Sequence, residues 1–158
     1  EISCSLVGSE MCIRDRDIIT NPHSQTAYRR FFDVLLENDG QQDTLLFHCT
    51  AGKDRTGMGA VFFLSALGVN EDTIKADYLL TNKTTKPMLD NLVKTLKLKN
   101  SPSAFIQSMR DLQSVQISFY NTAMDQIQKV SGDMPTYLHE YLNLSTNDIH
   151  DLQHIYLE

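Results

Sequence analysis

The stretch Thr44-Leu45-Leu46-Phe47-His48-Cys49-Thr50-Ala51-Gly52-Lys53-Asp54-Arg55-Thr56-Gly57 decides how the chain is read. Thr44 to His48 is a short, mostly apolar run bounded by polar residues, the pattern of a buried parallel strand. Thr50 to Thr56 is small and polar, and Gly57 to Leu67 is then nearly all apolar, which predicts a buried helix stopped at Gly68. Strand, tight polar loop and buried helix together make a phosphate-binding layout. Successive loop N–H groups can converge on an anion, and the helix adds its positive end. Gly52 supplies backbone freedom, and Arg55 offers a planar fork for two phosphate oxygens. Cys49, six positions before Arg55 and inside the same positive field, is expected to lose its proton more readily than a free thiol. A thiolate beneath a bound phosphoryl group is placed for in-line attack.

Outward from this loop, the apolar spacing of Tyr28, Phe31, Phe32, Leu35 and Leu36 predicts an amphipathic helix over 24–38 capped by Ser24. Those aromatic residues are expected to face the core rather than a substrate. Asn70 is expected to cap a helix running to Asn82. Leu89, Leu92, Val93 and Leu96 mark another in a lysine-rich stretch, and Asn100-Ser101-Pro102-Ser103 marks a break. Residues 105–130 predict two helices broken near Ser118, and 136–142 and 146–157 two short ones, the last capped by Ser145 or Thr146. One strand cannot form a sheet alone, so either the fold is all-helical or most strands of a sheet precede Asp17, and the second is the expectation taken.

The chain has 158 residues, enough for one domain with a core. Its 41% hydrophobic and 22% charged content is that of a globular chain, and no apolar run approaches a membrane span, so no stable membrane insertion is expected. A net charge of −6 argues against a nucleic-acid binder. Residues 1–16, Glu1 to Arg16, show neither strand alternation nor a helical stripe nor a signal-peptide layout. Ser5 to Arg16 resembles the translated end of a sequencing adapter, the alternative being a disordered tail. Setting 1–16 aside leaves a net charge of −5 and Cys49 as the remaining cysteine of three, with native sequence expected from Asp17.

The loop His48 to Gly57 resembles the signature loop of cysteine-dependent phosphatases, H-C-x-x-G-K-x-R-[ST]. In its fuller form, H-C-T-A-G-K-D-R-T-G, it is similar to the bacterial tyrosine-phosphatase family that includes secreted mycobacterial and listerial enzymes acting on phosphotyrosine and phosphoinositides. Ala27 to Phe32, Ala76 to Asn82, Tyr137-Leu138 and Leu152 to Glu158 extend the resemblance over 17–158, read as the C-terminal part of a single phosphatase domain. The resemblance implies a three-layer α/β fold, a central mostly parallel sheet flanked by helices. It implies Cys49 as nucleophile of a phosphocysteine intermediate, Arg55 as phosphate clamp and Thr56 as the hydroxyl that helps the sulfur leave. His48 would support the thiolate, Lys53 would lend charge to an acidic substrate, and Thr50, Ala51, Gly52, Lys53, Asp54 and Arg55 would surround the phosphate. Asp54 stands where some lipid phosphatases are proposed to carry the general acid, the alternative being a salt bridge to Lys53 or Arg55.

No cofactor is implied. Gly52-Lys53-Asp54 is not a nucleotide-binding loop, which needs Ser or Thr after the lysine and an earlier glycine. His23, His48, His139, His150 and His154 lack a metal-ligand spacing. The substrate implied is a phosphorylated protein or a phosphoinositide, in a bacterial protein either cytoplasmic or secreted. A catalytically inactive phosphate-binding module and a non-folding fragment are the rival readings. Lys83, Lys86, Lys94, Lys97 and Lys99, offset by Asp90, read either as a solvated helical face or as a mobile lid attracting phosphorylated peptides or anionic headgroups.

Overall fold

A computed structural model describes residues 17–38 and 44–157. After a helical turn at 17–20, seven helices follow. They are α1 (Pro22–Glu37), α2 (Asp54–Ala66), α3 (Glu71–Leu98), α4 (Ser103–Gln113), α5 (Ile117–Ser131), α6 (Met134–Glu140) and α7 (Thr146–Tyr156). The predicted turn at 39–43 lies outside the described residues.

The expected α/β architecture is not what the chain forms. Among the described residues there is no strand and no sheet, so the three-layer fold around a central parallel sheet is replaced by a helical assembly. The physical reason lies in 44–49. Burial alternates along it, with Leu45 and Phe47 turned inward between exposed Thr44, Leu46 and His48, as a half-buried strand requires. The second requirement, a neighbouring ladder, is unmet, because no other segment among the described residues bonds to its backbone. Leu46 stays 84% exposed.

The apolar character of α2 decides the centre of the molecule. A helix hydrophobic on most sides must be surrounded, and α2 packs against α1, α3, α6 and α7. Met58, Val61, Phe62 and Ala66 are buried along it. Phe62 meets Tyr28 of α1 edge-on, with centroids 4.9 Å apart, and stacks on Tyr137 of α6 at 5.5 Å. Gly57 lets Tyr78 of α3 approach so closely that an added Cβ would stand 3.0 Å from its ring. Tyr28 and Phe32 are buried in the core as expected, whereas Phe31 is only partly buried, packs on Phe47, and with Tyr28 borders an open cavity beside the loop.

Several helix ends follow their predicted caps. Asn70 Oδ1 accepts from Thr73 N at 3.0 Å, and Ser145 forms a reciprocal capping box with Asp148. Others differ. α1 starts at Pro22, with Asn21 rather than Ser24 as its cap, since Asn21 Oδ1 accepts from His23 N and Pro22 needs no N–H partner there. The two helices expected over 70–82 and 89–96 are one, α3, which runs through Pro87. The break in 105–130 falls at 114–116, ahead of Ser118.

Candidate active site

The loop of 48–53 joins the irregular 44–49 segment to the N-terminus of α2. Gly52 occupies the left-handed region at φ 67°, which a side-chain-bearing residue adopts at a cost. On either side of that reversal the Ala51, Gly52 and Thr56 amides reach Cys49. Two influences then oppose each other at its sulfur. Partial burial pushes the thiol up. Donors outweigh it: the Thr56 hydroxyl, the Thr56 N–H, and the N–H groups of Ala51 and Gly52 hold the thiol down at about 6, against an ordinary 9.0. The Thr56 amide belongs to the positive end of α2, so the helix that fills the core also helps to ionise the cysteine.

Thr56 Oγ1 is buried and makes no hydrogen bond of ordinary geometry. Its approach to Cys49 is therefore looser than an ordinary hydrogen bond, and the thiolate is the charge toward which it donates. A buried hydroxyl in this condition costs about 1–3 kcal/mol, and an anionic sulfur offsets part of that.

Arg55 is exposed and pairs with no carboxylate among the described residues, so its fork is open to an anion. Its position is fixed from behind: the Tyr28 hydroxyl donates to Arg55 O at 2.9 Å. The burial that puts Tyr28 in the core also pushes its phenol far above the ordinary range, so it remains a donor at every working pH. His48 is exposed, with Nδ1 3.2 Å from Cys49 O. A carbonyl only accepts, so that nitrogen carries the proton, and His48 braces the cysteine backbone rather than touching the sulfur.

Lys53 and Asp54 are placed differently from the substrate-facing roles that the resemblance implies. Lys53 is 3% exposed. Its Nζ donates to Asp54 Oδ1 at 2.6 Å and to Ser114 O at 3.3 Å. The ammonium is thus turned into the protein, and of the alternatives for Asp54 the structure displays the salt bridge to Lys53. Nothing in the spacing of 48–57 announces Ser114, sixty-one residues away.

Beside the loop opens a cavity of about 570 Å³. Cys49, Arg55 and Thr56 stand at its polar part, while Ile18, Tyr28, Phe31 and Phe47 give it apolar walls. His23 and Ser24 also line it, and sequence reasoning had assigned neither to the site. Only the contact of α1 with the loop reveals them. No group of three or more His, Cys, Asp or Glu side chains among the described residues could hold a metal ion.

With this geometry in view, the comparison with known proteins is direct. A family model described as tyrosine phosphatase family matches residues 8–158. The chain belongs to the tyrosine phosphatase family. The match begins within the segment that resembles adapter sequence. Within the family, a Cupriavidus necator protein carrying a tyrosine-protein phosphatase name is 35% identical over 131 residues, covering 82% of this chain and 45% of that protein. A Nostoc commune tyrosine-protein phosphatase is 40% identical over 60 residues, 37% of this chain and 19% of its own. The triple specificity protein phosphatase PtpB of Mycobacterium tuberculosis is 53% identical over 38 residues, 24% of this chain and 14% of its own. The chain spans less than half the length of the curated relatives it matches.

Proposed function

We propose that this tyrosine-phosphatase family member is a metal-independent phosphoric monoester hydrolase acting on phosphotyrosine through a phosphocysteine intermediate. Phosphoserine, phosphothreonine and phosphoinositides are its wider substrate class. The observation that carries the reading is the Cys49 thiol, held down at about 6 by the amides of Ala51, Gly52 and Thr56 and the Thr56 hydroxyl. A largely ionised sulfur at neutral pH, beside a guanidinium with no carboxylate partner among the described residues and a helix N-terminus, is a nucleophile waiting for a phosphoryl group.

In the first step the Cys49 thiolate attacks phosphorus in line, forming the S–P bond as the ester P–O bond breaks. The departing oxygen takes a proton. Arg55 and the loop N–H groups meet charge on the three equatorial oxygens, where fixed donors act without reorganising. In the second step water attacks phosphorus, the S–P bond breaks, and inorganic phosphate leaves with Cys49 again a thiolate. The Thr56 hydroxyl stabilises the thiolate as it departs. We assign Asp54 to the ion pair with Lys53, leaving leaving-group protonation to another donor. The apolar cavity lined by Tyr28, Phe31 and Phe47 supports an aromatic leaving group. The name of the Mycobacterium tuberculosis relative supports the wider substrate class.

Turnover of p-nitrophenyl phosphate that is vanadate-sensitive and abolished in Cys49→Ser is the expected result. Phosphate binding without turnover would instead support the inactive binding module.

A further inference from the structure

The second half of α3 and the whole of α4 form a hairpin that stands off the molecule. No side chain between Leu80 and Ser114 joins the main core, and Val93, the one buried residue on this half of α3, lies outside that core. α4 packs on α3 yet buries none of its own residues. The hairpin is clasped at its base. Asn82 Nδ2 donates to Val115 O at 2.8 Å, and Val115 N donates to Asn82 Oδ1 at 2.9 Å, so one side chain ties the outgoing strand of chain to the returning one.

Charge and apolarity are concentrated on this projection. Residues 83–99 hold five lysines and one aspartate in a chain of net charge −6. Asp90 is taken by Lys86 at 2.6 Å. Among the described residues Lys83, Lys94, Lys97 and Lys99 pair with no carboxylate. At 100° per residue, Lys83, Lys86, Lys94 and Lys97 share one face of α3. The turn that ends α3 carries Asn100 at φ 53°. On either side of it Leu98 is 77% and Phe105 49% exposed, next to Lys97 and Lys99. Exposed lysines on one side and uncovered large apolar side chains beside the turn are the combination that settles at a headgroup boundary. The lysines answer anionic headgroups, and the apolar tip enters the upper acyl region.

We infer that the α3–α4 hairpin is a peripheral docking surface for a bilayer bearing anionic phospholipid. An acidic protein would answer the lysines but would also have to cover Leu98 and Phe105, and the hollow beside Leu98, shared with Val93, Lys94 and Lys97, holds Asp90, a carboxylate that an acidic chain would have to face. The inference is independent of the phosphatase reading, since it concerns adsorption and not turnover.

The test is cosedimentation of the full chain with vesicles of phosphatidylcholine alone and of phosphatidylcholine with phosphatidylserine, at low and at physiological salt. Two variants are compared, Lys83→Gln/Lys94→Gln/Lys97→Gln/Lys99→Gln and Leu98→Gln/Phe105→Gln, each checked for unchanged circular dichroism. Binding to the anionic vesicles alone is expected, weakening as salt rises. Each lysine is worth about fivefold in partition coefficient, so the four-lysine variant should bind a hundredfold or more weakly. The Leu98/Phe105 variant should bind about tenfold more weakly at either salt. Equal binding to neutral vesicles, no binding to either, or an unchanged four-lysine variant would overturn the inference. So would hairpin-dependent capture of poly-glutamate by a chain that ignores anionic vesicles. Hydrolysis of p-nitrophenyl phosphate in solution should be the same in both variants, and an absence of turnover in the parent chain would bear on the phosphatase reading alone.

Discussion

Replacing Lys53 by methionine removes a charge while keeping most of the side-chain volume, which makes the ion pair beneath the loop measurable. The ammonium is 3% exposed and holds Asp54 Oδ1 at 2.6 Å and Ser114 O at 3.3 Å. Taking one partner from a buried pair leaves the other charge uncompensated, at a cost of roughly 3–5 kcal/mol. Asp54 keeps some access to water, its side chain being 13% exposed, and sits in the first turn of α2, where a negative charge is favoured. Those two features place the loss at the low end, about 3 kcal/mol, including the Ser114 carbonyl left without its donor. For a chain of this size that corresponds to a fall of roughly 6–12 °C in Tm. Asp54→Asn should cost a similar amount by stranding the ammonium, while Lys53→Met/Asp54→Asn should recover most of the loss, to within about 1 kcal/mol of the parent. Urea unfolding of the four proteins gives the coupling energy. Strictly additive losses, or a Lys53→Met cost below about 0.5 kcal/mol, would show that the pair is screened like a surface contact, refuting its role as the anchor between loop and hairpin base.

Other consequences follow from the same geometry. Thr56→Ala should raise the Cys49 thiol by about one pH unit, at the lower end of what a donor to a charged group supplies, read as the midpoint of iodoacetamide alkylation in a Cys4→Ser/Cys12→Ser background. Tyr28→Phe, which deletes the hydroxyl holding Arg55 O, should lower stability by about 1 kcal/mol and raise KM for p-nitrophenyl phosphate more than it lowers kcat. Gly52→Ala should cost about 1–2 kcal/mol through its left-handed backbone angle, since nothing within 4 Å would clash with the new methyl group. Because the folded thiol lies below its unfolded value, it contributes stability above about pH 9 that fades as pH falls and is gone below about 6. Cys49→Ser should therefore unfold with a smaller rise in stability across that window, seen in thermal melts at stepped pH.

What could be read in the residues was what neighbours along the chain determine. The nearly all-apolar stretch Gly57 to Leu67 announced a buried helix, and α2 is that helix. Asn70 and Ser145 announced their caps because capping is settled within three residues. The loop chemistry was legible for the same reason, since Cys49, Gly52, Arg55 and Thr56 are neighbours in sequence. Failures came where distant partners decide. The apolar run within Thr44 to His48 was read as a buried strand, but Leu46 stays exposed while Leu45 and Phe47 turn inward, and a ladder needs a second segment that the described residues do not supply. Separate helices were expected over 70–82 and 89–96, yet α3 continues through Pro87 between them. The carbonyl that proline leaves without a donor belongs to exposed Lys83, where water can serve it, and the Lys86–Asp90 pair spans the site. The Lys53–Asp54 pair was legible as one alternative because its members are adjacent, whereas the Ser114 carbonyl that turns Lys53 inward was not.

The account rests on an ionised sulfur, and ultraviolet titration of thiolate absorbance in the folded Cys4→Ser/Cys12→Ser chain measures it directly. A midpoint of about 6, matched by an acidic limb in kcat/KM that climbs with pH through the same value, is the predicted result. A midpoint at the ordinary 9.0, with the chain folded, would contradict it.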